Sequence, residues 1–290
     1  MFSRAAQNVV VPHTQVRGMA TLKEIRLRLK SVSNIKKITS SMKMVSAAKY
    51  TRAERELRPA RSYGAGASAF YEKIEAAPGE EAKDKLIVAL TSDKGLCGGV
   101  HSSICRTIRN IMYEKGADKN IKLFLIGDKS NQILTRLFAK DVLTVCKNLG
   151  KKPPNFNDAS FLAQQIIKAG FNYDVGTVFF NTFKSVVSYQ STQLPIFTES
   201  DITSAPKLYD YDSVDQSTIQ CYNEFMLASR MYFAMKESAC SEQSARMTAM
   251  DAASKNADEM IVKLNLTYNR TRQAYITREL IEIISGAEAL

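Results

Sequence analysis

Apolar residues return every three or four positions near the start of the chain: Leu22, Ile25, Leu29, Val32, Ile35, Ile38, Met42 and Val45. That spacing is one narrow stripe on an α-helix, as in the seam of a coiled coil. No Gly or Pro occurs from Thr21 to Arg58, so the stripe predicts a helix of about 38 residues, roughly 57 Å long. A second stretch without either residue runs from Lys207 to Ser285. Its apolar positions include Ile219, Tyr222, Phe225, Met226, Phe233, Met247, Met250, Ala257, Ile261, Leu264 and Ile281. They predict a helix from about Asp215 to Ser285, roughly 100 Å long. A globular domain of this chain length is only about 40 Å across. Such a helix must protrude, and the first helix is its available partner.

Between Pro59 and Pro206 lie eleven of the thirteen glycines and six of the seven prolines. Here the pattern changes. KLIVALTS, IKLFLIG and VGTVFFNTF are short apolar runs rich in β-formers, and helix-like stretches lie between them at Val100–Glu114, Lys129–Leu137 and Ala159–Ala169. Strands alternating with helices predict a parallel, Rossmann-like α/β domain. SVVSYQSTQLPIF predicts an antiparallel edge hairpin before the return to helix. The fold class is therefore α/β plus long helices: an antiparallel coiled coil of the N- and C-terminal helices with a Rossmann-like domain between them. The expected segments are 20–77 and 210–290 for the coiled coil and 82–209 for the α/β domain.

Charge adds direction. The net charge is +11, and between Thr21 and Arg61 twelve Lys or Arg face only three acids. The remainder after Arg61 is balanced, so one helix carries the excess and predicts an anionic surround. Nucleic acid is one candidate, although no aromatic platform or reader fold accompanies the patch; an acidic protein collar fits composition equally. Residues 1–19, with Arg4 and Arg17 and no acid, have the character of a mitochondrial presequence. No apolar run is long enough to span a membrane. Five cysteines without a CxxC spacing point to reduced thiols. With two histidines, a His-based metal site is not expected.

Candidate chemistry is sparse. SDKGLCGGVH follows a predicted strand and opens a helix, where phosphate loops sit. Its glycines, Gly95, Gly98 and Gly99, match neither the dinucleotide nor the P-loop spacing, so a tight strand-to-helix turn is the simpler reading. Asp93 and Lys94 lack an accompanying base, nucleophile or metal cluster, and Ser103 near His101 makes no triad. On the last helix, Ala234–Thr267 lacks aromatics and SARMTAMDAASKNA is small and Met-rich. At its end Ile276, Leu280, Ile281, Ile283 and Ile284 fan over about 160° at 100° per residue. An exposed apolar tip requires a sheath. Two other classes remain: a nucleotide-binding enzyme, and a basic scaffold for nucleic acid.

Four segments resemble the signature segments of ATP synthase gamma subunits: ATLKEIRLRLKSVSNIKKITSSMKMVSAAKY, SDKGLCGGVHSSI, KESACSEQSARMTAMDAASKNADEMI and NRTRQAYITRELIEIISGAEAL. The resemblance runs from Ala20 onward and is most specific in the two terminal helices. It implies a non-catalytic central-stalk rotor subunit of the mitochondrial complex, one copy per assembly, without cofactor. Implied partners are the hexamer of alpha and beta subunits, the delta and epsilon stalk subunits and the membrane c-ring. Implied location is peripheral, on the matrix side of the inner membrane, without nucleic acid. Carried over from the family, the collar contacts are Met42 and Lys43 on the first helix and Arg272, Gln273, Thr277 and Glu279 on the last. The chain lacks the long Cys-bearing insertion that chloroplast members use for redox control.

Overall fold

The computed structural model describes residues 21–76, 83–114, 120–148, 152–212 and 214–288; the presequence expected at 1–19 lies outside them. The chain divides into two compact units, one of the residues up to Lys37 with those from Lys255 onward, the other Ile38–Ser254. Two helices contribute to both: α1 (Leu22–Lys73) and α7 (Gln216–Glu288).

Helix α1 opens on a reciprocal cap. The Thr21 hydroxyl accepts from the Glu24 N–H at 3.3 Å, and the Glu24 carboxylate accepts from the Thr21 N–H at 2.9 Å, so two otherwise unpaired donors are satisfied. The helix does not stop before Pro59, as the breaker pattern predicts, but continues to Lys73. An interior proline costs a helix about 3 kcal/mol. Here Leu57, Ala60, Ala67 and Tyr71 are all buried around it, and tertiary packing outweighs local propensity.

The buried face of α1 also departs from the apolar stripe. Ile25, Val32, Thr39 and Ser46 are buried, one every seven residues, whereas Ile35, Ile38 and Val45 are each more than half exposed. A strict heptad keeps one face against a partner. At 100° per residue Ile38 stands about 120° around the helix from Val32. The seam therefore continues through small polar residues, and the apolar stripe after Val32 turns outward.

In the second unit, β1 (Asp84–Leu90), β2 (Asn120–Ile126), β3 (Val142–Cys146), β4 (Val175–Phe183) and β5 (Tyr189–Ile196) form one sheet in the order β3-β2-β1-β4-β5. All pairs are parallel except β4–β5, the antiparallel edge expected from the sequence. Alternate side chains serve opposite faces. Leu86, Val88 and Leu90 join Phe124, Ile126, Val178 and Phe180 in a core with α5 (Phe156–Lys168) and α7. Ile87 and Ala89 join Leu123, Leu125 and Phe179 in a core with α2 (Val100–Glu114) on the other side. Between β2 and β3 the chain coils through α3 (Asp128–Ser130), a π-turn, and α4 (Arg136–Phe138). A short helix, α6 (Glu199–Thr203), precedes α7.

Within this unit α1 and α7 are antiparallel: Lys43 pairs with Asp251, Glu56 with Lys236 and Arg61 with Glu237. The Glu237 carboxylate, only 1% exposed, accepts two bonds from Arg61 and one from the Phe183 N–H at 2.9 Å, tying α1, α7 and β4 together. Gly64 permits the close approach. A Cβ there would stand 2.5 Å from the Phe233 ring.

Candidate partner interfaces

In the first unit Lys36 of α1 pairs with Asp258 of α7, and Ala257 is buried at the seam. With the helices antiparallel, that register sets Thr21 level with about residue 273 of α7, so α1 has no residue to set against the last turns. Every described residue from Arg272 to Glu288 is exposed. Tyr275, Ile276, Leu280, Ile281, Ile283 and Ile284 are each 48–65% exposed. That is an apolar helix end with no cover among the described residues, the mark of a surface suited to a partner.

Four of the six residues expected at partner contacts lie here. Arg272, Gln273, Thr277 and Glu279 are all exposed. The Thr277 hydroxyl donates to the Gln273 backbone carbonyl at 2.9 Å, while the Arg272 and Glu279 side chains form no ion pair among the described residues. The other two lie in the second unit. Met42 is half-buried, and Lys43 donates to Asp251 at 2.6 Å, so its ammonium is already engaged within the chain. Residues the sequence pattern assigned to the seam, Ile38 and Val45, join Met44 as exposed apolar positions. Of the α1 cations, Lys36, Lys43, Arg52 and Arg61 have carboxylate partners; Lys23, Arg26, Arg28, Lys30, Lys37, Lys49, Arg55, Arg58 and Lys73 have none among the described residues.

The strand order reverses between β1 and β4, the place where open α/β sheets take ligands. The loop SDKGLCGGVH sits there, but the crevice is filled from above by α7. Met235, Ser238 and Glu242 line it with Ser92, His101 and Asn181, leaving about 50 Å³, room for water and not for a nucleotide. The loop is instead a latch. Arg246 donates to the Gly95 carbonyl at 3.3 Å and forms a buried pair with Glu242. Asn181 donates to the Val100 carbonyl at 2.9 Å, and Ser241 donates to the Asn181 carbonyl at 3.1 Å.

The residues singled out for chemistry are structural. The Asp93 carboxylate accepts from the Asp128 N–H at 2.8 Å and so caps α3. The Lys94 carbonyl faces His101 Nε2 at 3.2 Å, and that nitrogen also lies 3.2 Å from the Ser92 hydroxyl. The Ser103 hydroxyl donates to the Val100 carbonyl at 2.8 Å. Burial pushes the Cys97 and Cys105 thiols up to about 11, so neither is a thiolate at neutral pH. Among the described residues no cluster of His, Cys, Asp or Glu is placed to hold a metal, and no helix is long and apolar enough to cross a membrane.

A filled crevice, outward cations and an uncovered apolar helix end define a helical protein whose surfaces require other chains. Relatedness gives the class its family. The ATP synthase family matches residues 21–290. The chain is 58% identical to the mitochondrial ATP synthase subunit gamma of Drosophila melanogaster, over 95% of this chain and 93% of that one. It is 53% identical to the mitochondrial ATP synthase F(1) complex subunit gamma of Rattus norvegicus, over 93% and 100%. A chain from the central stalk and c-ring structure of Tetrahymena thermophila mitochondrial ATP synthase superposes with a TM-score of 0.65 at 28% identity, covering 75% of this chain and 99% of that one. One from the Euglena gracilis mitochondrial complex shares the fold, with a TM-score of 0.78 at 18% identity, over 92% and 94%. The chain belongs to the gamma-subunit family of ATP synthases.

Proposed function

We propose that this chain is the non-catalytic central-stalk rotor of a mitochondrial ATP synthase, turning inside a hexamer of alternating alpha and beta subunits. The observation that carries the reading is the bare end of α7. Seventeen consecutive residues, 272–288, are exposed, with isoleucines and leucine around the helix, and a surrounding sleeve supplies the cover they lack. Membership of the gamma-subunit family supports reading that sleeve as the alpha and beta subunits. Arg272, Gln273, Thr277 and Glu279 are the proposed contacts there. Arg272 and Gln273 bring several hydrogen-bond donors to carboxylates and carbonyls of the collar. Met42 and Lys43 are proposed contacts on α1, with Lys43 exchanging or sharing Asp251 when a partner carboxylate approaches.

The mechanism is a coupling free energy between rotor angle and nucleotide affinity. A shaft without threefold symmetry makes different contacts with three equivalent catalytic sites. Each angle then favours a different site, because a partner shifts an equilibrium only by its differential interaction with the states. Chemistry belongs to the beta subunits; this chain transmits torque from proton flow through the c-ring. The α/β unit is the proposed foot on the ring, shared with the delta and epsilon subunits, and residues 1–19 are the proposed transit peptide. On this reading the chain sits peripherally on the matrix side of the inner membrane and works without a cofactor or nucleic acid.

Affinity purification of the mature chain followed by native mass spectrometry tests this. A particle with three alpha, three beta and one copy of this chain is expected. A free protein carrying nucleic acid, or a nucleotide alone, would overturn it.

A further inference from the structure

Beside the latched crevice, in the second unit, a separate cleft of about 180 Å³ opens between α1, α7 and the segment 152–154. Its lining is cationic, with four Lys or Arg against two Glu. Lys49 and Arg52 enter from α1, Lys152 from the proline-bearing segment, and Lys236 from α7. Two carboxylates also line it, and both are neutralised from within the chain. Glu56 takes Lys236 at 2.8 Å and Arg52 at 3.1 Å, and Glu242 is paired with Arg246. Lys49 and Lys152 are both exposed and have no carboxylate partner among the described residues. Two lysines without a carboxylate partner among the described residues therefore line one cleft.

We propose that this cleft binds a phosphate-bearing anion, with Lys49 and Lys152 matching its charge beside the buried Lys236. The charge requirement favours phosphate over a carboxylate: a phosphate monoester carries about −1.5 to −2 at neutral pH, against two free cations. Lys236, buried and held by Glu56, forms a polar floor that needs no reorganisation when the anion enters. The crevice at the strand reversal is not the site, because α7 fills it. The bound group is carried either by free inorganic phosphate or by a nucleotide whose base remains outside.

Equilibrium dialysis of the full chain separates these sources. One arm uses labelled inorganic phosphate and the other ADP, both at ionic strength fixed with potassium chloride. Three proteins are compared: the native sequence, K49Q/K152Q, and the equal-charge control K168Q/K184Q, whose lysines are exposed and outside the cleft. One equivalent is expected to bind the native chain and the control, with at least about tenfold weaker binding to K49Q/K152Q, equivalent to about 1.4 kcal/mol. Saturation by phosphate identifies the free anion as sufficient. Saturation by ADP alone, with the same dependence on Lys49 and Lys152, assigns the phosphate to a nucleotide. Absence of saturation in both arms overturns the proposal, as does equal weakening by the two double variants.

Discussion

Gly64 shows how one missing side chain sets the spacing of two helices. Its Cβ position lies 2.5 and 2.6 Å from two atoms of the Phe233 ring, closer than any real contact, so a methyl there forces α1 and α7 apart or turns the ring. Gly64→Ala is expected to lower stability by about 1–3 kcal/mol, the usual cost of overpacking, read as a lower urea midpoint of the full chain. Pairing it with Phe233→Leu should recover part of the loss; equal midpoints for Gly64→Ala and the native chain would refute the contact. His101 is a second such residue. Desolvation holds its imidazole below the usual range, with Arg246 and Lys129 adding to the push and Glu242 and the Lys94 carbonyl opposing it. The unfolded chain then binds the proton more readily, so stability is complete above the ordinary value of 6.5 and falls as pH drops below it. Denaturation midpoints between pH 7.5 and 5 should slope less for His101→Gln than for the native protein; parallel slopes would count against the assignment. Neither residue announces its role in the sequence. Gly64 is one glycine near a proline, and His101 ends a glycine-rich loop that resembles a ligand site until α7 is seen filling it.

At the scale of elements, the sequence pattern locates the long helices, α2 and the strands β1, β2, β4 and β5, because strong periodicity and breaker-free runs are local signals. It misplaces the α1 seam for a physical reason. Ile35, Ile38, Met42 and Val45 continue a three-four spacing, but helix pairing selects the heptad through Thr39 and Ser46, and small side chains serve a close seam better than large ones. Strand β3, VLTVC, is missed because it is five residues long and half-buried throughout, without the alternation that marks a strand. The passage of α1 through Pro59 is equally invisible locally, since its compensation comes from residues far along the chain. The seam makes a direct prediction within the first unit. Val32 is 8% exposed and Ile35 is 51% exposed. Val32→Ser should destabilise the helix pair by about 1–3 kcal/mol, whereas Ile35→Ser should stay within about 0.5 kcal/mol. Hydrogen-exchange protection of amides 22–37 reads both; the reverse order would restore the apolar stripe as the seam.

At the scale of the molecule, the division of labour between stability and function is testable at the end of α7. Residues 272–288 are all exposed and none is buried against another described residue, so their apolar side chains add little to the chain's own described packing. Their cost in solubility is accepted, on the proposed reading, because the sleeve of alpha and beta subunits covers them. Removing 272–290 should therefore leave the urea midpoint of the chain within about 0.5 kcal/mol of the native value, as for other surface changes, with far-UV helicity reduced only by the residues deleted. In the assembled complex the same truncation removes Arg272, Gln273, Thr277 and Glu279 together. Each exposed polar pair is worth only about 0–1 kcal/mol, so single substitutions should weaken coupling modestly, and the truncation more than any of them. The readout is ATP synthesis per unit proton gradient in reconstituted vesicles, set beside ATP hydrolysis by the same particles. A fall in synthesis with hydrolysis largely retained would fit a shaft that has lost its upper grip. A truncated chain that unfolds would mean the tip stabilises its own subunit, and undiminished coupling would mean the torque is transmitted lower on the two helices.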